Sequence, residues 1–290
     1  MKKVGVILVN YNGEVYIRDC IDSLLAQTYK NLEILFWDNH SKDASVETVR
    51  KMYPKIHLIE SPHNYGFAKA NNLAVKRLLQ MGVEYVLLLN VDTVADSCLI
   101  EYLLEKADNR TVTTAQIYMD RKGRKIWYAG GELQFNTGKS KHLQLKTKKE
   151  EKVSFISGCC MMIHKDIIRK CGLFDEDYYL YYEDTDLCMR WYLHHIKMYY
   201  IPKAKLWHKV GGSSGGIRNP LKEYYMVRNR LYFVGKYWRV IRENIFMIVY
   251  SFLIDELTCL TEYDRKMKIA NILGIIDYLR KKKGMSKHKL

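Results

Sequence analysis

The chain has 290 residues, 48% of them hydrophobic, which is enough to fill the core of one large α/β domain and excludes a chain that is disordered throughout. Its net charge of +15 favours an anionic partner, such as a nucleotide, a polyphosphate, an acidic lipid or a nucleic acid, but does not choose among them. The seven cysteines include no C-x-x-C pair, which argues against a zinc ribbon or a disulfide framework and favours reduced thiols in the cytoplasm.

Strands and helices alternate through the first 92 residues. The run from Val4 to Val9 is apolar and largely β-branched, which predicts a strand buried on both faces of a parallel sheet. Similar patterns predict strands at 32–37, 56–60 and 85–89, separated by helices at 14–27, 43–53 and 67–81. Four such alternations predict an α/β fold with a doubly wound, mostly parallel sheet flanked by helices.

The pattern changes after residue 110. Short strands are predicted at 116–119, 125–129 and 132–135, and the lysine-rich segment 139–152 is predicted to be an exposed, mobile loop over the site. The sequence Gly-Gly-Ser-Ser-Gly-Gly at 211–216 predicts a hinge. We therefore expect a catalytic domain at 1–210 and a basic, apolar helical region at 211–290.

The C-terminal region contains an apolar run at 245–254. Ten residues fall short of the roughly 20 needed to span a bilayer. Three roles stay open for this region: a helix lying on the inner face of the cell membrane, a homodimer interface, or packing onto the catalytic domain.

Polar side chains follow each of the four predicted strands. In open α/β sheets, ligands bind outside the carboxyl ends of the strands. Asp92, at the tip of the fourth strand, could hold a divalent cation against two phosphates, although a simple strand-end turn also explains an aspartate there. His208 could be a third metal ligand or only a strand-end histidine.

An acidic, tyrosine-rich run surrounds Glu183, Asp184 and Asp186. Carboxylates packed among apolar neighbours have a raised pKa, which suits a general base that takes a proton from a hydroxyl near neutral pH. The alternative is that these carboxylates offset the dipole of a helix N-terminus, and we expect this to hold for at least one of them.

Taken together, these residues resemble the family 2 glycosyltransferases of GT-A fold, particularly the rhamnosyltransferase-like branch. The resemblance covers residues 4 to about 235. Its motifs occur in this order: Val9-Asn10-Tyr11-Asn12, Asp38-Asn39-His40-Ser41-Lys42-Asp43, Asn64-Tyr65-Gly66-Phe67-Ala68, Asn90-Val91-Asp92, Ser157-Gly158, Phe174-Asp175-Glu176, Glu183-Asp184-Thr185-Asp186-Leu187, Trp207-His208, Tyr224-Tyr225 and Arg228-Asn229-Arg230.

The resemblance implies a Rossmann-like GT-A domain with a C-terminal helical appendage. It implies Mg²⁺ or Mn²⁺ on Asp92 and His208, with Asp184 as the base of an inverting transfer and Glu183 orienting the acceptor. The metal motif begins with Asn90 instead of aspartate, so one carboxylate must anchor the cation. The residues expected to hold the nucleotide sugar are Val9, Tyr11, Asp38, Asn39, Asn64, Gly66, Phe67, Asn72, Asn90 and Val91.

The expected donor is dTDP-rhamnose or a UDP-sugar, and the expected acceptor is a glycan or a lipid-linked glycan in cell-surface polysaccharide synthesis. One alternative is a sugar-phosphate nucleotidyltransferase, but no lysine or arginine follows the first strand in Asn10-Tyr11-Asn12-Gly13-Glu14. The other is a non-catalytic protein that binds a polyanion or nucleic acid, suggested by the +15 charge. The basic residues concentrate at 139–152 and 276–290 instead of at the strand ends, so we expect no nucleic-acid partner.

Overall fold

The computed structural model describes residues 1–119, 125–144, 149–209 and 219–290. Its strands are β1 Val4–Asn10, β2 Leu32–Asp38, β3 His57–Glu60, β4 Tyr85–Asn90, β5 Thr93–Ala95, β6 Thr111–Tyr118, β7 Ile126–Tyr128, β8 Gly131–Gln134, β9 Lys139–His142, β10 Glu151–Lys152, β11 Cys160–His164 and β12 Lys197–His208. Its α-helices are α1 Glu14–Leu25, α2 Ser45–Met52, α3 Gly66–Gln80, α4 Leu99–Lys106, α5 Lys165–Cys171, α6 Glu183–Leu193, α7 Pro220–Lys236, α8 Trp238–Ile241, α9 Ile245–Glu262 and α10 Arg265–Leu279.

A central sheet carries the fold, in the order β10-β12-β6-β11-β4-β1-β2-β3. The pairs β1–β2, β1–β4, β2–β3 and β6–β12 are parallel, whereas β11 runs antiparallel between β4 and β6. Val9 is in register with Asn90, and Asn10 is in register with Asp38. The ends of three strands therefore coincide, which brings the polar residues that follow them to one edge of the sheet.

The predicted alternation of strands and helices up to residue 92 is confirmed, and so is the GT-A type of α/β sheet. β6 is longer than predicted, because Thr111 to Thr114 continue a β-branched strand that is buried along its whole length. Strands β7 and β8 occur close to their predicted positions.

The prediction of an exposed loop at 139–152 is wrong for residues 139–142, which form β9 and pair with β8, and for residues 151–152, which form β10 and pair with β12. The lysine-rich composition of this segment does not indicate a strand. What holds β9 in place is His142, whose ring packs edge-on against Trp127 and nearly parallel to the ring of Phe155. Burial lowers the pKa of His142 to about 4, so this ring is neutral at physiological pH. Residues 145–148 and the predicted hinge at 211–216 lie outside the described residues.

The C-terminal helices differ in how they contact the rest of the chain. α7 packs onto the catalytic domain through Phe233, which belongs to the same hydrophobic core as the sheet, as does Tyr237 directly after the helix. α10 packs against α7. The apolar run predicted at 245–254 extends further, because Leu257 and Leu260 continue it to the end of α9. Within the described part of the chain, Trp238–Glu262 is long and apolar enough to cross a membrane by length and composition alone.

Candidate active site

Asp92 and His208 form a buried pair at the edge of the sheet. Asp92 follows β4, and His208 ends β12, whose last residues pair with β5 so that Thr93 stands opposite His208. This short pairing brings Asp92 Oδ1 to 3.1 Å from His208 Nε2, with both side chains almost fully buried. The described residues contain no group of three or more His, Cys, Asp or Glu side chains suited to a metal ion. The protein therefore supplies a carboxylate oxygen and an imidazole nitrogen here.

This donor pair fits a divalent cation whose other ligands come from a diphosphate and water. Mg²⁺ is commonly held by only one or two carboxylates together with substrate phosphates, and imidazole is a ligand suited to transition metals. The ring of His208 also packs edge-on against Trp127, with 4.7 Å between ring centroids, which fixes its orientation.

Asp38 and its neighbours form the next group along the same edge. Asp38 is buried at the end of β2, where its carboxylate accepts hydrogen bonds from the Asn10 side chain at 3.1 Å and from the Ser41 backbone N–H at 2.9 Å. Tyr11 lies beside this group with about half of its surface exposed, and Val9 is partly buried in β1. An exposed aromatic ring beside an anchored carboxylate can receive a nucleoside by stacking and hydrogen bonding.

Asn39 and Asn64 connect the ends of β2 and β3 to the start of α3. The Asn39 amide donates to Asn64 Oδ1 at 2.9 Å and to the Gly66 carbonyl at 3.2 Å. Gly66 has a φ of +76°, and a Cβ at this position would lie 2.6 Å from the carbonyl oxygen of Tyr179. Glycine is therefore required, because both the backbone angle and the close approach exclude a side chain.

Tyr179 joins this group to the acidic turn that precedes α6. Its carbonyl accepts from the Phe67 N–H at 2.9 Å, and its hydroxyl lies 3.2 Å from Asn64 Oδ1. The predicted nucleotide side of the site and the predicted catalytic turn are thus in direct contact.

Three other residues predicted to bind the nucleotide sugar have contacts of their own within the protein. Asn72 holds the backbone of Phe174, donating to its carbonyl at 2.9 Å and accepting from its N–H at 3.0 Å, which accounts for the asparagine without a nucleotide. Asn90 is at the tip of β4, where its N–H donates to the Cys159 carbonyl, and Val91 is buried beneath it. The nucleotide-binding roles of all three stay predictions.

Asp184 is anchored at the start of α6. Its Oδ2 accepts from the Gly158 N–H at 3.0 Å, and its Oδ1 accepts from the Thr185 N–H at 2.7 Å. Gly158 precedes Cys159, whose carbonyl accepts a hydrogen bond from the Asn90 N–H. The same short loop therefore contacts both Asp184 and the tip of β4. Loss of solvent raises the pKa of Asp184, although the two backbone donors oppose this effect.

Glu183 is more deeply buried than Asp184. Its Oε2 has no hydrogen-bond partner among the described residues. Burial first, and then the charge of Asp184, raise the pKa of Glu183 well above its usual value. Both oxygens of Asp184 accept from backbone N–H groups, so we expect Asp184 to be the ionised member of the pair, and part of its surface stays exposed.

Asp186 has a different role from these two carboxylates. Its side chain is fully buried, and it contacts the Arg190 guanidinium at 2.8 Å and the Lys236 ammonium at 2.6 Å. The hydroxyls of Tyr178 and Tyr237 also donate to it, at 3.2 and 2.9 Å. Asp186 therefore ties α6 to α7 and has no free position for a substrate.

The backbone before Glu183 is strained. Tyr179, Tyr181 and Tyr182 all have positive φ, between 64° and 72°, an angle that costs bulky residues energy and persists only when surroundings hold it. The Asn229 side-chain amide, on α7, lies 2.8 to 3.0 Å from the carbonyl oxygens of Tyr178, Leu180 and Tyr181. α7 thus positions the turn that precedes Asp184.

We expect Asn229→Asp to lower kcat by about 100-fold, because it replaces the donors with acceptors and lets the turn move by a fraction of an ångström. Steady-state kinetics, nucleotide titration and thermal unfolding would be measured together. Asn31→Asp is the matched control, since it removes an amide donor that bonds only the exposed Met1 carbonyl. Loss of kcat with nucleotide binding retained supports positioning, whereas parallel loss of kcat, binding and folding would contradict it.

Residues 5–172 match the family model Glycosyl transferase family 2, which is more than half of the chain. The chain belongs to family 2 of the glycosyltransferases. This membership decides against the nucleotidyltransferase alternative and makes the protein a glycosyltransferase.

Relatives of known name place it in the rhamnosyltransferase-like branch. The dTDP-rhamnosyl transferase RfbF of Shigella flexneri is 26% identical over 287 residues, which are 94% of this chain and 95% of that protein. The N-acetylglucosaminyl-diphospho-decaprenol L-rhamnosyltransferase of Mycobacterium tuberculosis is 23% identical over 236 residues, which are 72% of this chain and 77% of that protein.

Solved structures agree on the GT-A fold. GalNAc-T7, crystallised with UDP, GalNAc and Mn²⁺, superposes with a TM-score of 0.68 at 14% identity over 98% of this chain and 55% of its own, so this chain spans just over half of GalNAc-T7. The S. aureus TarS 1–349 complex with UDP-GlcNAc gives a TM-score of 0.62 at 17% identity over 96% of this chain and 81% of its own.

Several residues at the site carry no predicted role from the sequence. Gly158 and Asn229 lie in motifs of the resemblance, Ser157-Gly158 and Arg228-Asn229-Arg230, but spacing alone does not show that they hold the catalytic turn. Tyr179 has no such signal, because it is one of four tyrosines in a five-residue run and only the fold shows which of them contacts Asn64.

Proposed function

We propose that the protein is an inverting, metal-dependent glycosyltransferase that moves a sugar from dTDP-rhamnose or a UDP-sugar to a glycan hydroxyl. The observation that carries this proposal is the arrangement of Asp184. Its carboxylate is held by Gly158, has a raised pKa, and is joined through the 157–159 loop to the strand tip that precedes Asp92. One short loop thus links the carboxylate that we propose as the proton acceptor to the strand tip next to the pair that we propose for the cation.

In the proposed reaction, Asp184 accepts the proton of the acceptor hydroxyl as the oxygen forms a bond to the anomeric carbon. The bond from that carbon to the diphosphate oxygen breaks at the same time, and the nucleoside diphosphate departs with the electron pair. Attack opposite the leaving group inverts the anomeric configuration. A divalent cation on Asp92 and His208, when bound, neutralises charge on the departing diphosphate. Glu183, buried beside Asp184, orients the acceptor.

The choice of donor rests on the relatives. The Shigella flexneri relative is named for dTDP-rhamnose, and the Mycobacterium tuberculosis relative for L-rhamnose on a diphospho-decaprenol carrier. We extend this to a lipid-linked or free glycan acceptor in cell-surface polysaccharide synthesis. All seven cysteines are free, which suits a reducing cytoplasmic compartment.

The test is to incubate the full-length protein with dTDP-rhamnose or UDP-sugars, with Mn²⁺, Mg²⁺ or EDTA and a rhamnose- or hexosamine-terminated acceptor. Release of the nucleoside diphosphate would be coupled to NMR assignment of the new linkage. We expect turnover with one nucleotide class, dependence on a divalent cation, and inverted anomeric configuration. Retained configuration, or full activity in EDTA, would refute the corresponding part of the mechanism.

A further inference from the structure

A long apolar stripe on α9 remains exposed to solvent. Phe246 is 85% exposed, and the other five members of the stripe are between 47% and 65% exposed. The spacing of the six residues is i, i+3, i+4, i+7, i+11 and i+14, which places them on one face of an α-helix. We call this face the α9 stripe; its members are Phe246, Val249, Tyr250, Leu253, Leu257 and Leu260.

The opposite face of α9 is attached to the protein. Ile248 and Cys259 are buried, and Asp255 pairs with Lys139 at 2.7 Å and with the buried guanidinium of Arg230. These contacts join α9 to β9 and α7. A helix held along one side by a buried arginine and an ion pair lies on the domain, so its opposite side, which carries the stripe, is available to an apolar partner.

We propose that the α9 stripe inserts into the interface of an anionic lipid bilayer. The stripe adds leucine, phenylalanine and tyrosine side chains to a region of strongly positive charge. Residues 219–290 contain fifteen lysines and arginines against seven aspartates and glutamates, a net charge of +8. Exposed charged residues stand at both ends of α9: Arg239, Arg242 and Glu243 at its start, and Glu262, Asp264, Arg265 and Lys266 at its end, with one more basic than acidic residue.

This charge selects the bilayer over a second copy of the chain. An apolar helix face flanked by basic residues binds anionic lipid through area burial and electrostatic attraction together. A symmetric contact between two copies would instead bring together two C-terminal regions that each have a net positive charge. Trp238 is also exposed just before α9, and Trp and Tyr side chains favour the level of the lipid head groups.

The test is flotation of the full-length protein with vesicles of phosphatidylcholine alone or mixed with phosphatidylglycerol. The variant is Phe246→Glu with Leu253→Glu, and we expect its partition onto anionic vesicles to fall by about 100-fold. The matched control is Leu25→Glu with Met52→Glu, which changes the charge equally at exposed apolar positions on α1 and α2. The control is expected to float like the wild type, and wild-type flotation is expected to weaken in high salt.

Each contrary result has a separate meaning. Equal flotation of wild type and stripe variant, or none by the wild type, overturns the proposal. Equal flotation on neutral and anionic vesicles overturns the choice of lipid. A wild-type dimer that becomes a monomer in the stripe variant, measured by light scattering, assigns the stripe to a second copy. Titration with UDP and dTDP separates this outcome from the proposed function, because the stripe variant should bind nucleotide normally.

Discussion

Replacing Asp92 with asparagine is expected to abolish metal-dependent binding of UDP and dTDP and to lower sugar transfer by about three orders of magnitude. Asn90 occupies the position where a second carboxylate would otherwise help, so Asp92 is the carboxylate of the pair with His208. An amide has the same shape but no charge, and it cannot hold a hard cation against the opposing charge of a diphosphate. Calorimetric titration of each nucleotide, with and without Mn²⁺, would measure the effect.

Asp96→Asn provides the control for this experiment. Asp96 lies four residues further on, beyond β5, and its carboxylate accepts from the Cys98 N–H at 3.1 Å, so the variant changes the same charge in the same segment outside the pair. We expect the control to bind nucleotide and Mn²⁺ like the wild type. Mn²⁺-dependent binding that survives in Asp92→Asn would place the cation on other residues and remove the proposed role of His208.

The sequence alone predicts the strands that form the centre of the sheet, because runs such as 4–9 and 85–89 are apolar throughout and end in polar turns. It does not predict the antiparallel part. β5 has only three residues, and its pairing with β12 joins segments more than 100 residues apart. The contact between Asp92 and His208 depends on that pairing, so the residue types were predictable but their distance was not.

The acidic turn before α6 is likewise only partly predictable from the sequence. An acidic run at 183–186 predicts both a general base and a helix N-terminus, and the structure gives its carboxylates different surroundings. Asp186 is enclosed by Arg190 and Lys236, whereas Asp184 stays partly exposed. Periodicity cannot separate two acidic residues two positions apart, because the difference comes from α7, which lies more than 30 residues further along the chain. The positive φ angles of Tyr179, Tyr181 and Tyr182 also cannot be predicted from the sequence.

Asp184→Asn is expected to lower kcat by about three to four orders of magnitude while nucleotide and metal binding persist. The amide can still accept from the Gly158 N–H, so the turn keeps its anchor, but it cannot take the proton of an acceptor hydroxyl. Transfer rates would be compared with calorimetric titration of UDP, dTDP and Mn²⁺. Asp166→Asn on α5 serves as the control, because that carboxylate is exposed and pairs with Arg169. Loss of nucleotide binding together with turnover would assign Asp184 to the donor site instead.

The companion variant Glu183→Gln decides which of the two carboxylates is the base. Glu183 Oε2 is buried without a hydrogen-bond partner among the described residues, whereas both carboxylate oxygens of Asp184 accept from backbone N–H groups. We therefore expect Glu183 to be the protonated member of the pair, and glutamine closely imitates a protonated glutamate. We therefore expect Glu183→Gln to keep most of the turnover. Because the pKa of Asp184 is raised, the wild-type rate should fall as the pH drops through a value above that of an ordinary aspartate, when the base becomes protonated. An acid limb that survives in Glu183→Gln belongs to Asp184, whereas its disappearance together with turnover would make Glu183 the base.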